Sequence, residues 1–395
     1  MKKFFYVAVA ATALASCSSD QLVDLKEGDE IKLSVIADND SRAETIFCNY
    51  NLPESFQLYA ATVASTGKEA QDFIVDEKYV RTSGVTYERD GVNRYWPEND
   101  ALNFYAVKNA EITWEAGEVP TGSFEVDDDV ESQLDFVYAA NPNQSKPTSG
   151  SAVALNFRHA LSQIEFKVAN ANPDLEIIVK NVKVGNALSK GNFTFPATTA
   201  EEWENHNQGD EDMTDDGSVI AWASQNTPIN FTLAEDFDDV AVLSTDPVTA
   251  LTFETDDAEN ANFAEIYEKS MLLLPQLTTA WNGTEGGFLA VKCVINNIIK
   301  EGENITDRVV LYGDNDGDGE AEGRWAFVPV KFDWKPGYKY VYTFNFTNGG
   351  NAGYDDSNGN DKPGNVAVLL PLTVDVTVDD FQPTNGSTED MATVE

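Results

Sequence analysis

Apolar and polar residues alternate in short bursts along most of this chain, and the first burst sets the pattern. Ile31, Leu33 and Val35 alternate with Lys32 and Ser34, the period-2 signature of a β-strand with one buried face. Asp38, Asn39, Asp40 and Ser41 then break the strand, and Arg42-Ala43 follows in a polar stretch. Further strands are predicted at residues 55–61, 79–85, 92–96, 102–107, 136–139 and 153–157, with Gly84 and Gly91 marking turns. The pattern restarts with Ile164, Phe166 and Val168 and continues through residues 178–184, 191–195, 271–275, 288–295, 327–332 and 338–346.

The last apolar segment spans residues 366–378. Val366, Val368 and Leu370 alternate, and the phase resumes after Pro371 with Leu372, Val374, Val376 and Val378. Proline donates no ladder hydrogen bond, so Pro371 predicts a break, an edge position or a bend. A terminal strand of this kind packs on its own domain or pairs with a neighbour as an added strand. Strands recurring this often with turn residues between them give an all-β chain with sandwich or barrel spacing, not alternating βαβ units. Two units are predicted, residues 43–160 and 161–395. An acidic insertion at residues 201–217, with Trp203 and His206, reads as an exposed loop.

The beginning of the chain is a different kind of segment. Lys2-Lys3 is a basic start, an apolar run too short for an ordinary membrane span follows, and Leu14-Ala15-Ser16-Cys17 comes next. The order is that of a bacterial lipoprotein signal at residues 1–16, with Cys17 lipidated; the alternative is an ordinary secretory signal. Lipidation ties the chain to a membrane through its anchor alone. Residues 17–42 then form a polar tether and the first strand.

Charge narrows the function classes. With 26 Lys+Arg against 67 Asp+Glu, the formal net charge is −41, which excludes a nucleic-acid binder that needs a basic surface. The two histidines, His159 and His206, have no nucleophile or metal-type cysteine pattern near them. No nucleophile elbow, zinc helix or phosphate loop is present, so no enzymatic activity and no cofactor are expected. Cys293 lies in an apolar run and reads as a buried thiol, and its pairing with Cys48 is left open. Asp314, Asp316 and Asp318 with Gly319 resemble the first half of a calcium loop, but Trp325 stands where a bidentate Glu belongs. The competing reading is a Gly/Asp-rich hairpin turn between strands at residues 309–312 and 325–330.

Several motifs in order carry a resemblance. Tyr95-Trp96-Pro97 precedes LNFYAV at residues 102–107, and LNFRHALSQIEFKV occupies residues 155–168. Leu273-Leu274-Pro275-Gln276 and WKPGYKY at residues 334–340 follow. Together they are similar to the signatures of the fimbrillins, the shaft and tip subunits of type V pili in anaerobic Gram-negative bacteria. The resemblance implies two tandem transthyretin-like β-sandwich domains. It implies export as an outer-membrane lipoprotein through Cys17 and cleavage by an arginine-specific surface protease between Arg42 and Ala43. The strand carrying Ile31, Leu33 and Val35 is then the removable one. A neighbour's C-terminal strand fills the groove, and Leu372, Val374, Val376 and Val378 are the donor candidates. The implied partners are other copies or related fimbrial subunits and an unidentified surface receptor, in a fimbrium that supports adhesion. The alternatives are a tip or accessory adhesin and a lipid-anchored carbohydrate-binding surface protein.

Overall fold

A computed structural model describes residues 30–37, 52–147, 151–197, 219–234, 237–246, 248–251, 270–313, 321–346, 353–354, 362–364, 367–368 and 372–380. The early strands are β1 (Leu33–Ala37), β2 (Ser55–Thr62), β3 (Asp72–Ser83), β4 (Thr86–Arg89), β5 (Leu102–Lys108), β6 (Thr121–Glu125), β7 (Val137–Gln144) and β8 (Val153–His159). All but β6 form a closed barrel in the order β1-β4-β3-β2-β5-β7-β8. The ring closes because β1 pairs antiparallel with β4 and parallel with β8. The ladder is thus continuous here, where the resemblance implied two separate sheets of a sandwich.

The predicted strand at residues 92–96 is absent. Only a single bridge between Tyr95 and Glu30 forms there, because a Gly91 turn and Pro97 leave too short a run to pair. The sequence reading also missed β4, a four-residue strand behind the Gly84 turn, where φ is +51°.

Burial explains the continuous apolar runs in β2, β5 and β7. Leu58, Ala60, Phe104, Ala106, Val137 and Ala139 point into the barrel. Tyr59, Tyr105, Val107, Tyr138 and Ala140 point outward and join the core of the following strands. This wall is apolar on both faces, so strict alternation is lost in its sequence. The barrel and the rest of the chain therefore share a hydrophobic seam.

The remaining strands build two sheets. They are β9 (Ser162–Asn170), β10 (Leu175–Thr194), β11 (Ala221–Thr232), β12 (Val240–Leu243), β13 (Thr249–Leu251), β14 (Met271–Leu273), β15 (Phe288–Glu301), β16 (Asn304–Tyr312), β17 (Arg324–Pro329), β18 (Tyr338–Phe346), β19 (Gly353–Tyr354), β20 (Ala367–Val368) and β21 (Leu372–Asp380). Among the described residues, a nine-stranded sheet runs β11-β10-β15-β17-β19-β20, with β12, β16 and β6 pairing alongside. A five-stranded sheet runs β13-β9-β18-β21, with β14 also on β9. Leu289, Val291, Cys293 and Ile295 from the larger sheet and Ile164, Phe166, Val168, Tyr342 and Phe344 from the smaller fill the core between them.

β10 is a 20-residue strand, so residues 191–195 do not form a separate strand as the sequence predicted. Its bulge between Val184 and Ala187 places Asn186 at φ 59°. The bend lets one strand pair with β12 and β15 in its first half and with β11 and β6 in its second. Through β6, residues 121–125 leave the barrel ladder and join the larger sheet.

Two motifs from distant parts of the sequence meet at the seam. The Gly337 amide donates to the Leu161 carbonyl at 2.9 Å, and Ser162 Oγ donates to the Lys335 carbonyl at 2.8 Å. His159 Nδ1 lies 2.9 Å from Asp135 Oδ2, with both side chains buried. The conspicuous FRHAL and WKPGYKY stretches are thus the joint between the barrel and the two-sheet unit.

Candidate functional site

The candidate site consists of the first strand in its slot and the last strand on its sheet edge. Over residues 31–35 every second side chain faces the barrel interior. Ile31, Leu33 and Val35 are 5%, 1% and 0% exposed, while Lys32 is exposed. Beneath them lies an aromatic floor. Phe56 is 5.0 Å from Tyr87, 5.1 Å from Phe157 and 6.0 Å from Tyr79, centroid to centroid. Burying three aliphatic side chains there is worth about 1.5–3 kcal/mol each.

Both edges of β1 are paired. Leu33 stands opposite Tyr87 of β4 and, on the other side, opposite Val153 of β8; Val35 stands opposite Leu155. The Val35 amide donates to the Val85 carbonyl at 2.9 Å, and the Val153 amide donates to the Lys32 carbonyl at 2.8 Å. At the start of the strand the Ile31 amide donates to the Arg94 carbonyl at 2.8 Å, and Asn93 bonds Glu30. A small ion cluster holds this end. The Glu77 carboxylate lies 2.6 Å from Arg89 Nε and takes a two-pronged contact from Arg94. Burial pushes Glu77 up, but hydrogen bonding and charge from Arg94, reinforced by Arg89, outweigh it and hold the carboxyl below the usual range.

The position of β1 in the ring matters. The wall that packs on the two-sheet unit is β2-β5-β7. β1 lies between β4 and β8 on the other side of the ring. Taking β1 out would leave a slot with an apolar floor and two unpaired strand edges, on the side of the ring away from the described two-sheet unit.

β21 is a contrasting element. It pairs antiparallel with β18 along its whole length, from Leu372 opposite Phe346 to Asp380 opposite Tyr338. No described strand pairs with its other edge. Leu372 is 2% exposed and Val374 packs against the core, but Val376 and Val378 are 50% and 46% exposed. The apolar alternation therefore continues past the point where the core covers it. The polar face carries Thr373, Asp375 and Thr377, with Asn345 bonding Asp375 across the pair.

Other sequence candidates fall elsewhere. Cys17, Arg42, Ala43, Cys48, His206, Trp203 and Asp314, Asp316 and Asp318 lie outside the described residues. The strands on either side of the Asp-rich stretch do not form the predicted hairpin. β16 and β17 both pair with β15, one after the other along it, and not with each other. β15 is 14 residues long and has room for both. Cys293 is a buried free thiol, and burial pushes its pKa up to about 12, which leaves it inert at neutral pH. Trp96, Trp325 and Trp334 are buried.

Comparison with known proteins agrees with this architecture. A family model described as fimbrillin-like matches residues 41–361. A second, described as a prokaryotic membrane lipoprotein lipid attachment site, matches residues 1–18. No curated protein matches the chain. Among solved structures, a fimbrial protein from Bacteroides vulgatus superposes with a TM-score of 0.54 at 16% identity, covering 89% of this chain and 99% of that one. A candidate cell adhesion protein from Bacteroides ovatus gives a TM-score of 0.44 at 10% identity, covering 90% of this chain and 99% of that one. One from Bacteroides uniformis gives 0.42 at 11% identity, covering 90% and 100%. The family match spans most of the chain, including every strand from β2 to β19, and on that ground the chain belongs to the fimbrillin-like family.

Proposed function

We propose that this chain is a structural, non-enzymatic subunit of a type V fimbrium, built as two tandem domains that divide between β8 and β9, each a variant of the transthyretin-like sandwich, the first with its sheets joined edge to edge into the closed barrel. It is exported as a lipoprotein on Cys17 and carried to the outer membrane. An arginine-specific protease cuts between Arg42 and Ala43, β1 leaves, and the C-terminal strand of another copy enters the vacated slot. Leu372, Val374, Val376 and Val378 are the donor side chains.

One observation carries the reading. The chain holds one strand whose aliphatic face, Ile31, Leu33 and Val35, is buried between two strand edges, and a second whose apolar face is half uncovered at what is, among the described residues, a sheet edge. While β1 is covalently attached, it competes for the slot at a high effective concentration that no free neighbour matches. Cutting the connection removes that advantage, so proteolysis acts as an assembly switch. A tip or accessory subunit accepts a strand without donating one, and the exposed Val376 and Val378 favour the donor reading.

The test is Arg42→Ala. The variant is expected to remain a lipidated monomer and to give no SDS-resistant ladder after treatment with an arginine-specific protease, whereas the parent chain gives one. Ladders of normal length from the variant would overturn the cleavage assignment.

A further inference from the structure

The larger sheet is longer than the smaller one, and its excess forms an apolar ledge. The core-facing side of β15 runs through Leu289, Val291, Cys293 and Ile295, all buried, and continues through Asn297 to Ile299. Val309 of β16 stands opposite Asn297, Leu311 is the unpaired residue of the bulge just beyond it, between Val310 and Tyr312, and Asp307 stands opposite Ile299. Ile299, Val309 and Leu311 are 43%, 47% and 60% exposed. Among the described residues, the smaller sheet has ended by this point. The turn after β9 fixes its last row, where the Ala171 amide donates to the Phe346 carbonyl at 3.1 Å and Asn170 Nδ2 donates to the Leu175 carbonyl at 2.9 Å.

The ledge is held stiffly from behind. On the opposite side of the hairpin, Arg308 makes a two-pronged pair with buried Glu176 at 2.7 and 2.8 Å, and Asn296 donates to the same carboxylate at 3.1 Å. The Ile298 amide and Lys300 Nζ are tied to the carbonyls of Asp174 and Pro173. An exposed aliphatic patch on a braced hairpin is a contact surface, not a loose end.

Its position identifies the partner. Phe346, whose carbonyl closes the turn beside the ledge, is paired with Leu372, the first residue of β21. In the strand-exchange reading β21 leaves its own sheet about this end, and the copy that receives it is then brought against the ledge. The acceptor slot in turn has an exposed valine near each end. Val85 bonds β1 through its carbonyl and is 46% exposed; Val92, two residues before the carbonyl that holds Ile31, is 79% exposed.

We propose that the Ile299–Val309–Leu311 ledge is a second, non-covalent contact between successive copies of this chain, seated on the apolar rim of the neighbour's β1 slot. The contact rests on the strand-exchange reading for its geometry. It aligns the incoming copy before the strand is threaded and stiffens the joint afterwards.

The experiment compares full-length chain, treated with an arginine-specific protease, with a Val309→Asp/Leu311→Asp variant. Both positions are exposed, so the variant keeps the parent's thermal midpoint and circular dichroism. Elongation, followed by SDS-resistant ladders, is expected to slow about tenfold, the scale of losing interface anchors. In parallel, a Val309→Cys chain in a Cys48→Ser background is coupled to a photoreactive maleimide, and the crosslinked peptides are mapped. Adducts to residues near Val85 or Val92 of another copy are expected. Parental ladders with an unslowed variant and no such adducts overturn the ledge and leave strand exchange standing. Adducts without parental ladders uphold the ledge and overturn strand exchange. Neither ladders nor adducts overturn both.

Discussion

The first and last strands of this protein are nearly interchangeable as sequence and unlike as structure. Both alternate aliphatic with polar residues and both lie next to polar stretches. β1 has its apolar face sealed over Phe56, Tyr87 and Phe157 and both edges bonded. β21 has, among the described residues, one bonded edge, a fully buried leucine at its start, and two half-exposed valines toward its end. The same pattern is therefore satisfied in one place and only partly satisfied in the other. Moving Val376 and Val378 into a slot like that of β1 would complete their burial, a gain of about 1 kcal/mol each on the usual area scale.

The sharpest way to break the comparison is to spoil the sealed strand. Val35→Asp puts a charge over an aromatic floor with no partner at that position, and on the order of 5 kcal/mol of barrel stability is expected to be lost. Urea unfolding followed by tyrosine and tryptophan fluorescence measures it. The same change at Val378 in β21 is expected to move the midpoint little in the monomer and to reduce polymer formation. Equal destabilisation at the two sites would erase the contrast.

Next in size is Leu372→Ala, which removes the one fully buried side chain of β21. A loss of about 2–4 kcal/mol is expected from the cavity it leaves. If thermal melts show no change, β21 is not anchored at its start and its pivot must be placed elsewhere.

Acid tests the ion cluster at the head of β1. The folded-state pKa of Glu77 is lowered from its ordinary value of 4.5, so its contribution to stability is fully present above that value. The contribution is lost as pH falls through the lower folded value. Glu77→Gln is expected to cost about 1.5–3 kcal/mol at neutral pH, the scale of hydrogen bonds to charged groups, and to flatten the loss of barrel stability on acidification below 4.5. A variant that keeps the parent's acid dependence would show that the cluster does not secure β1.

The smallest effect concerns the exposed end of β21. Val376→Thr keeps β-branching and shape and removes little buried area, so less than about 0.5 kcal/mol is expected in monomer melts. A measurable slowing of ladder growth from the same variant would sharpen the comparison. It would locate the cost of the substitution in the neighbour's slot and not in the parent sheet.

Much of this was legible before any fold was known. The side-chain phase of Ile31, Leu33 and Val35 and the resumption of alternation after Pro371 follow from period-2 patterning, and the extents of β2, β5 and β18 from apolar and aromatic runs bounded by turn residues. A pleated strand sends alternate side chains to opposite faces whatever it pairs with. Partner choice is not encoded that way. The parallel pairing of β1 with β8 joins residues 33–37 to residues 153–157, and the short β4 on its other edge has too few residues to announce itself. The transfer of β6 to the larger sheet and the end-to-end placement of β16 and β17 along β15 likewise depend on which edges the rest of the fold leaves open. The sequence by itself determined which face of each strand is apolar. Only the tertiary structure decided whether that face is covered, because coverage is set by where a ladder closes on itself and how far a facing sheet extends. That is why similar alternation ends as a sealed strand in β1 and a half-bare one in β21.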